Sequence, residues 1–290
     1  MPRKLIPGRF DPIVHHREFR VLACNFKVRS NCEILARQVN FIAQDARQNY
    51  PLVHEQTYEV RSQDGHYQII EDLELAFTAS DLNSLTQNLL WRIHGKAFEN
   101  IADYVRIHAG CAEHKGNRFL IVGDSGAGKT TLMTRLLFEG FQVHGDELVM
   151  LRGGESMPFP RRFHIKESSL ELLPQIREFI DDAPYITELN EQKTYAFSPS
   201  EAGFEWEIRN REVSVFFYLE GNHGGETRVK DCPKYLMVQK VMPRAFLSIS
   251  HDHLKIGELC RAVDRAACFI IYLGDIGSAV GKIRNIMNKP

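Results

Sequence analysis

The sequence lacks the usual marks of a secreted, metal-stapled or membrane-embedded chain. Its six cysteines, at 24, 32, 111, 232, 260 and 268, include no Cys-x-x-Cys pair. That argues against a zinc knuckle or a disulfide framework and predicts reduced thiols in a cytoplasmic protein. No apolar run approaches the length of a membrane span, about 20 residues. The opening Met1-Pro2-Arg3-Lys4-Leu5-Ile6-Pro7 is basic but holds only Leu5 and Ile6 before a proline, so it lacks a signal-peptide h-region. Neither sign of charge is in excess: 36 Lys and Arg face 37 Asp and Glu, for a formal net charge of −1. With no long basic run either, nothing predicts a nucleic-acid or membrane partner. Internal repeats and low-complexity tracts are absent as well.

What is present fits a globular chain. The 290 residues exceed the usual single-domain size, and 43% hydrophobic with 25% charged residues is a soluble balance. Alternation from Glu18 to Arg29 predicts a strand, and Asn31 a cap for a helix carrying Ile34, Leu35, Val39, Ile42 and Ala43. Two alternating runs between Thr57 and Glu71 meet at Asp64-Gly65, a tight-turn dipeptide. Leu73 to Thr78 reads as a strand, and Asp81 caps a helix with a stripe of Leu85, Leu89, Leu90, Ile93 and Phe98. Residues 1–103 are therefore expected to form an α+β lobe, with a second domain over 104–290. In that second part, Ser168 or Ser169 is expected to cap a helix reaching Ile180. The polar stretch 181–211 is expected to be a mobile segment, and Val213 to Leu219 and Cys268 to Leu273 buried strands.

The densest signal is Arg118 to Thr131. Phe119 to Val122 reads as a buried strand, Gly123-Asp124-Ser125-Gly126-Ala127-Gly128 as a turn, and Lys129-Thr130-Thr131 as the start of a helix that Gly140 ends. Gly, four residues, then Gly-Lys-Ser/Thr is the phosphate-loop pattern. Glycines let successive N–H groups turn inward around an anion, and the helix N-terminus adds partial positive charge. Lys129 can reach β/γ-phosphate oxygens, and the Thr130 hydroxyl can ligate Mg²⁺. Expected nucleotide contacts are Gly123, Asp124, Ser125, Gly126, Ala127, Gly128, Lys129, Thr130 and Thr131.

Phosphoryl transfer also needs carboxylates. Asp146 and Glu147 follow an apolar strand seventeen residues past Lys129; one could hold Mg²⁺ while the other accepts a hydroxyl proton. His108 ends a strand upstream and could sit beside the transferred group. Arg161, Arg162 and Lys166 offer cations suited to phosphate or an acidic substrate. His251-Asp252-His253 reads as a polar loop rather than a metal site.

His108-Ala109-Gly110, the loop from Gly123 to Thr130, and Asp146-Glu147 together resemble the HPr kinase/phosphorylase family and its HPr-kinase-like relatives. The resemblance covers roughly residues 104 to 151. It implies an α/β P-loop kinase domain of the type shared with phosphoenolpyruvate carboxykinase, binding ATP and Mg²⁺. It implies that Lys129 and Thr130 serve the phosphates and metal, that Asp146 is the catalytic base, and that His108 stands near the phosphates. Glu147 takes the place of a second Asp on the metal side. Pro160 to Lys166 is similar to a Pro-Arg-x-x-x-x-Lys stretch of the HPr-kinase-like branch, implying substrate or phosphate contacts for Arg161 and Lys166. The Glu-x-Arg-Gly-Leu-Gly signature of true HPr kinase/phosphorylases is missing, so HPr as substrate and the reverse phosphorylase reaction are not expected.

The resulting expectation is a cytoplasmic ATP- and Mg²⁺-dependent kinase acting on a serine hydroxyl of a protein or peptide, such as a peptide natural-product precursor. A small-metabolite kinase and a nucleotide-regulated binding module are the alternatives. By analogy with HPr kinases, a homo-oligomer is expected.

Overall fold

The computed structural model describes residues 12–289 apart from 64, 100, 102–103, 182, 188–190 and 247–251. The basic opening segment, Asp64 and His251 thus lie outside the described residues. Asp252 and His253 open a helix rather than continuing a loop. No helix among the described residues is long and apolar enough to cross a membrane.

The alternating stretch after residue 14 is two strands, not one. β1 (His15–Val21) and β2 (Cys24–Ser30) pair antiparallel about Leu22, whose φ of 53° is strained for a branched side chain and is held by complete burial. α1 (Glu33–Ile42) follows, with Leu35, Val39, Phe41 and Ile42 buried. Asn31 does not cap it. Its side chain instead binds the Ser62 backbone, accepting from N–H at 2.9 Å and donating to the carbonyl at 3.0 Å. This amide ties β2 to β3 (His54–Gln63), which turns through Gly65, φ 75°, into β4 (His66–Glu71) and then β5 (Glu74–Ala79). α2 (Leu82–Glu99) starts where expected, because the Asp81 carboxylate takes the Ser84 N–H at 2.8 Å and its hydroxyl at 2.7 Å. The sheet order is β1-β2-β3-β4-β5.

Three strands then lead into the glycine loop: β6 (Val105–Ile107), β7 (Ala109–His114) and β8 (Asn117–Gly123). Beyond it come α3 (Lys129–Phe138), β9 (Gln142–Gly145), β10 (Val149–Arg152), β11 (Glu155–Pro158) and β12 (Phe163–Lys166). β14 (Lys193–Phe197) pairs antiparallel with β12 on one side and with β13 (Tyr185–Thr187) on the other. The chain finishes with β15 (Val215–Gly221), β16 (Arg228–Asp231), α4 (Lys234–Val241), α5 (Asp252–Arg265), β17 (Ala267–Leu273) and α6 (Ile276–Met287).

The central sheet has the order β9-β7-β8-β15-β17-β16, parallel where β15 meets β8 and β17. Its middle strands are covered on both faces. Phe119, Ile121, Phe217 and Leu219 pack toward α3 and α6, while Leu120, Val122, Phe216 and Tyr218 pack against residues of α4 and α5. Burial on both sides is why these strands read as continuous apolar runs instead of alternating ones. The chain is a mixed α/β protein, and the core of the first lobe continues into Leu148, Met150, Phe159, Ile186, Trp206 and Ile208.

Two expectations fail here. No helix runs from Ser168 to Ile180: Pro174 has no N–H and its ring blocks the turn before it. The segment forms only single turns over Glu167–Ser169, Pro174–Ile176 and Arg177–Ile180. Nor is 181–211 a loose polar excursion, because β13 and β14 lie in a sheet and Trp206 and Ile208 are each 3% exposed. Their apolar anchors are isolated along the chain, so no period shows in the sequence.

A buried ionic knot also escapes sequence patterning. Arg118, 0% exposed, donates to the Glu113 carboxylate at 2.6 and 3.0 Å and to the carbonyls of Ser156 at 2.7 Å and Arg209 at 2.9 Å. His144 adds a contact to Glu113 at 3.1 Å. Burial alone would raise the Glu113 carboxyl, but His144 and Arg118 together hold it far below the usual carboxylate range. Arg118→Met breaks this buried pair, leaving the carboxylate to His144, Arg209 and Arg211, and should cost about 3–5 kcal/mol by urea denaturation. Arg118→Lys should recover little, since an ammonium cannot reproduce the fork. Wild-type stability in either variant would refute this account.

Candidate functional site

Ligands of open α/β sheets sit beyond the carboxyl ends of parallel strands. Here β8, β15 and β17 end at Gly123, Gly221 and Leu273. The turn after β8 is forced by close packing: a Cβ at Gly123 would lie 2.6 Å from the Leu219 carbonyl oxygen. Gly128 holds φ 94° as the N-cap of α3 and offers no side-chain cap. The first N–H groups of α3 therefore have no intrahelical partner and point into the loop, the arrangement that binds an anion.

Lys129 leans over that loop, its Nζ donating to the carbonyls of Gly123 at 2.9 Å and Asp124 at 3.2 Å. It is 6% exposed. Burial lowers the ammonium pKa, against the pull of Glu147 and Asp146. Asp146, 3% exposed, sits opposite. Burial and the neighbouring Glu147 push its carboxyl up to about 7, with Arg161, the Thr130 hydroxyl and Lys129 opposing. Glu147 is more open. Its Oε1 lies 3.0 Å from Arg161 Nη1 and 3.6 Å from His108 Nδ1, and its carbonyl accepts from Ala109 N–H at 3.2 Å. Burial lowers the His108 pKa, with Glu147 pulling the other way.

A cavity of about 970 Å³ collects much of the expected set: His108, Ser125, Gly126, Gly128, Lys129, Thr130, Thr131, Glu147, Arg161 and Lys166 all line it. Gly123, Ala127 and Asp146 do not line it. Asp124 does not face it; its carboxylate accepts from the Tyr218 hydroxyl at 3.2 Å and pairs with Arg244. Arg162 also turns away, to the Asn40 carbonyl at 2.9 Å and the Glu201 carboxylate.

Three contributors went unnoticed in the sequence. His223 and Asp275 reach the cavity from the ends of β15 and β17; following those two apolar strands to their carboxyl ends is the signal that finds them. Ser169 meets Thr131 hydroxyl to hydroxyl at 3.4 Å, a contact no sequence spacing announces. The Thr130 hydroxyl and the Asp146 carboxylate are hard oxygen donors, of the kind that could hold Mg²⁺ rather than a softer metal.

No family model matches the chain, and no curated protein matches it. Among solved structures, the HPr(Ser) kinase/phosphatase from Coxiella burnetii is similar at 12% identity, covering 62% of this chain and 95% of that one with a TM-score of 0.31. A likeness that distant leaves the functional reading to the chemistry of the site itself.

Proposed function

We propose that this protein is an ATP- and Mg²⁺-dependent kinase that moves the γ-phosphate onto a hydroxyl, with a serine of a protein or peptide as acceptor. In this reading 104–290 is a P-loop kinase domain of the HPr kinase and phosphoenolpyruvate carboxykinase type, and 1–103 an accessory lobe. The observation that supports it is one juxtaposition: an uncapped helix N-terminus and a buried lysine in the wall of a cavity that Glu147 also lines, with the buried Asp146 next to Glu147 in the chain.

The roles follow from placement. The loop N–H groups and Lys129 would hold the β- and γ-phosphates, the ammonium exchanging its carbonyl partners for phosphate oxygens. Thr130 and Asp146 would hold Mg²⁺, which when bound neutralises phosphate charge. Glu147 lines the cavity and Asp146 does not, so Glu147 is assigned the acceptor proton. That reverses the order implied by the resemblance, where Asp146 is the base. His108 and Arg161 fix the Glu147 carboxylate.

The test is purified protein with Mg²⁺ and γ-labelled ATP against a cell extract. Label on a polypeptide is expected. Label confined to a small molecule would make it a metabolite kinase, and ATP bound without turnover would make it a nucleotide-regulated binding module.

A further inference from the structure

A second cavity, a groove of about 1,130 Å³, adjoins the first. The two share Glu147, Arg161 and His164 in their walls. Successive turns of α2 present Asn83, Gln87, Leu90, Trp91, His94 and Phe98 to the groove, and Arg106, Phe159 and Ile186 face them. Leu90, Trp91, Phe98, Leu148, Phe159 and Ile186 supply its apolar surface. Phe98 and Phe159 meet tilted at 4.6 Å, His94 meets Phe159 edge-on at 4.9 Å, and Trp91 is 82% exposed. Burial holds His94 near 3 and His164 well below its ordinary value, so both imidazoles are neutral and extend the apolar wall. One end is closed, Asn83 exchanging two hydrogen bonds with the Thr187 backbone at 2.8 and 2.9 Å.

The groove also carries a cation. The Arg106 guanidinium lies 4.5 Å from the Phe98 ring centre, and among the described residues no carboxylate pairs with it. Arg106 lies in β6 two residues before His108, which directly follows that strand. An exposed indole over an apolar floor, with a partly buried cation beside it, is the composition of a recognition pocket.

We infer that this groove seats a polypeptide acceptor. An apolar or aromatic residue of the peptide lodges between Trp91 and Phe98, an acidic residue near the serine pairs with Arg106, and the serine hydroxyl is thereby delivered to Glu147. The inference rests on the kinase reading above and adds the acceptor class and its sequence preference. Continuity decides the occupant: with a nucleotide's phosphates in the first cavity, the body of any acceptor reaching Glu147 lies across the second. In the transfer the serine Oγ gives its proton to Glu147 as the Oγ–P bond forms. The bond from the γ-phosphorus to the bridging oxygen breaks, and ADP leaves with that electron pair.

The experiment uses the full-length protein, γ-labelled Mg-ATP and a peptide pool with serine fixed, tryptophan excluded and other positions degenerate. Labelled peptides should be enriched in apolar or aromatic and acidic residues beside the serine. For a peptide so selected, Trp91→Ala and Arg106→Gln should each raise KM about 10-fold or more while kcat changes far less. Trp91 emission should shift to the blue on peptide addition, a change missing from Trp91→Phe. Transfer with no residue preference and unchanged KM in both variants overturns the groove while the kinase stands. Peptide-induced emission shifts without transfer support the groove and sink the kinase reading. No transfer and no emission change overturns both.

Discussion

Lys129→Ala is expected to abolish phosphoryl transfer, lowering turnover by about 10³-fold or more, the scale of removing a preorganised charge from a transition-state site. The reason is positional. Lys129 is the first residue of α3, 6% exposed, and its ammonium already sits within 2.9 to 3.2 Å of two carbonyls on the loop that would cradle phosphate. Those carbonyls hold the charge at the loop mouth before any anion arrives, so binding asks only that the ammonium exchange them for phosphate oxygens. Lys129→Arg should not rescue, because a planar guanidinium needs more room and a different hydrogen-bond fork. Single-turnover measurements with labelled ATP check this, with circular dichroism to confirm folding. Turnover within tenfold of wild type would remove Lys129 from the mechanism.

Asp146→Asn is expected to lose transfer as well, yet to leave the metal-free protein more stable than wild type above neutral pH. The buried carboxyl is pushed up to about 7, against an ordinary 3.8. Between those values the folded chain keeps a proton that the unfolded chain has lost. Stability therefore falls as pH rises through that window, and the deficit persists above it. An asparagine amide never ionises and escapes the penalty. The gain should be on the order of 3–4 kcal/mol at alkaline pH and vanish in acid below the unfolded value. Urea denaturation with chelator at several pH values reads it directly; equal stability at alkaline pH would show that the carboxyl is not strained. Glu147→Gln separates the two carboxylates. It should keep the wild-type Mg²⁺ requirement while turnover drops about 10²-fold or more, whereas added Mg²⁺ should not revive Asp146→Asn.

The strand–loop–helix element was legible because it is local. Gly123, Gly128 and Lys129 announce their turn through types that few other conformations demand. Asp81 was legible as a cap for the same reason. Asn31 was misread, since the same short amide caps a helix or clasps a distant backbone, and only the position of Ser62 chooses. Leu22 hid a hairpin, because nothing in a leucine advertises a left-handed φ.

The sequence by itself determined the strand–loop–helix unit, the apolar central strands and the presence of an acidic pair at a workable distance along the chain, all consequences of local sterics and burial pattern. Tertiary structure alone decided which carboxylate opens on the cavity, that Arg161 and His108 hold Glu147, that Asp124 turns away to Tyr218, and that α2 lines a groove meeting the cavity at Glu147. Orientation and desolvation depend on atoms tens of residues distant. A buried carboxyl and an exposed one are written with the same letters, and only packing makes them different acids.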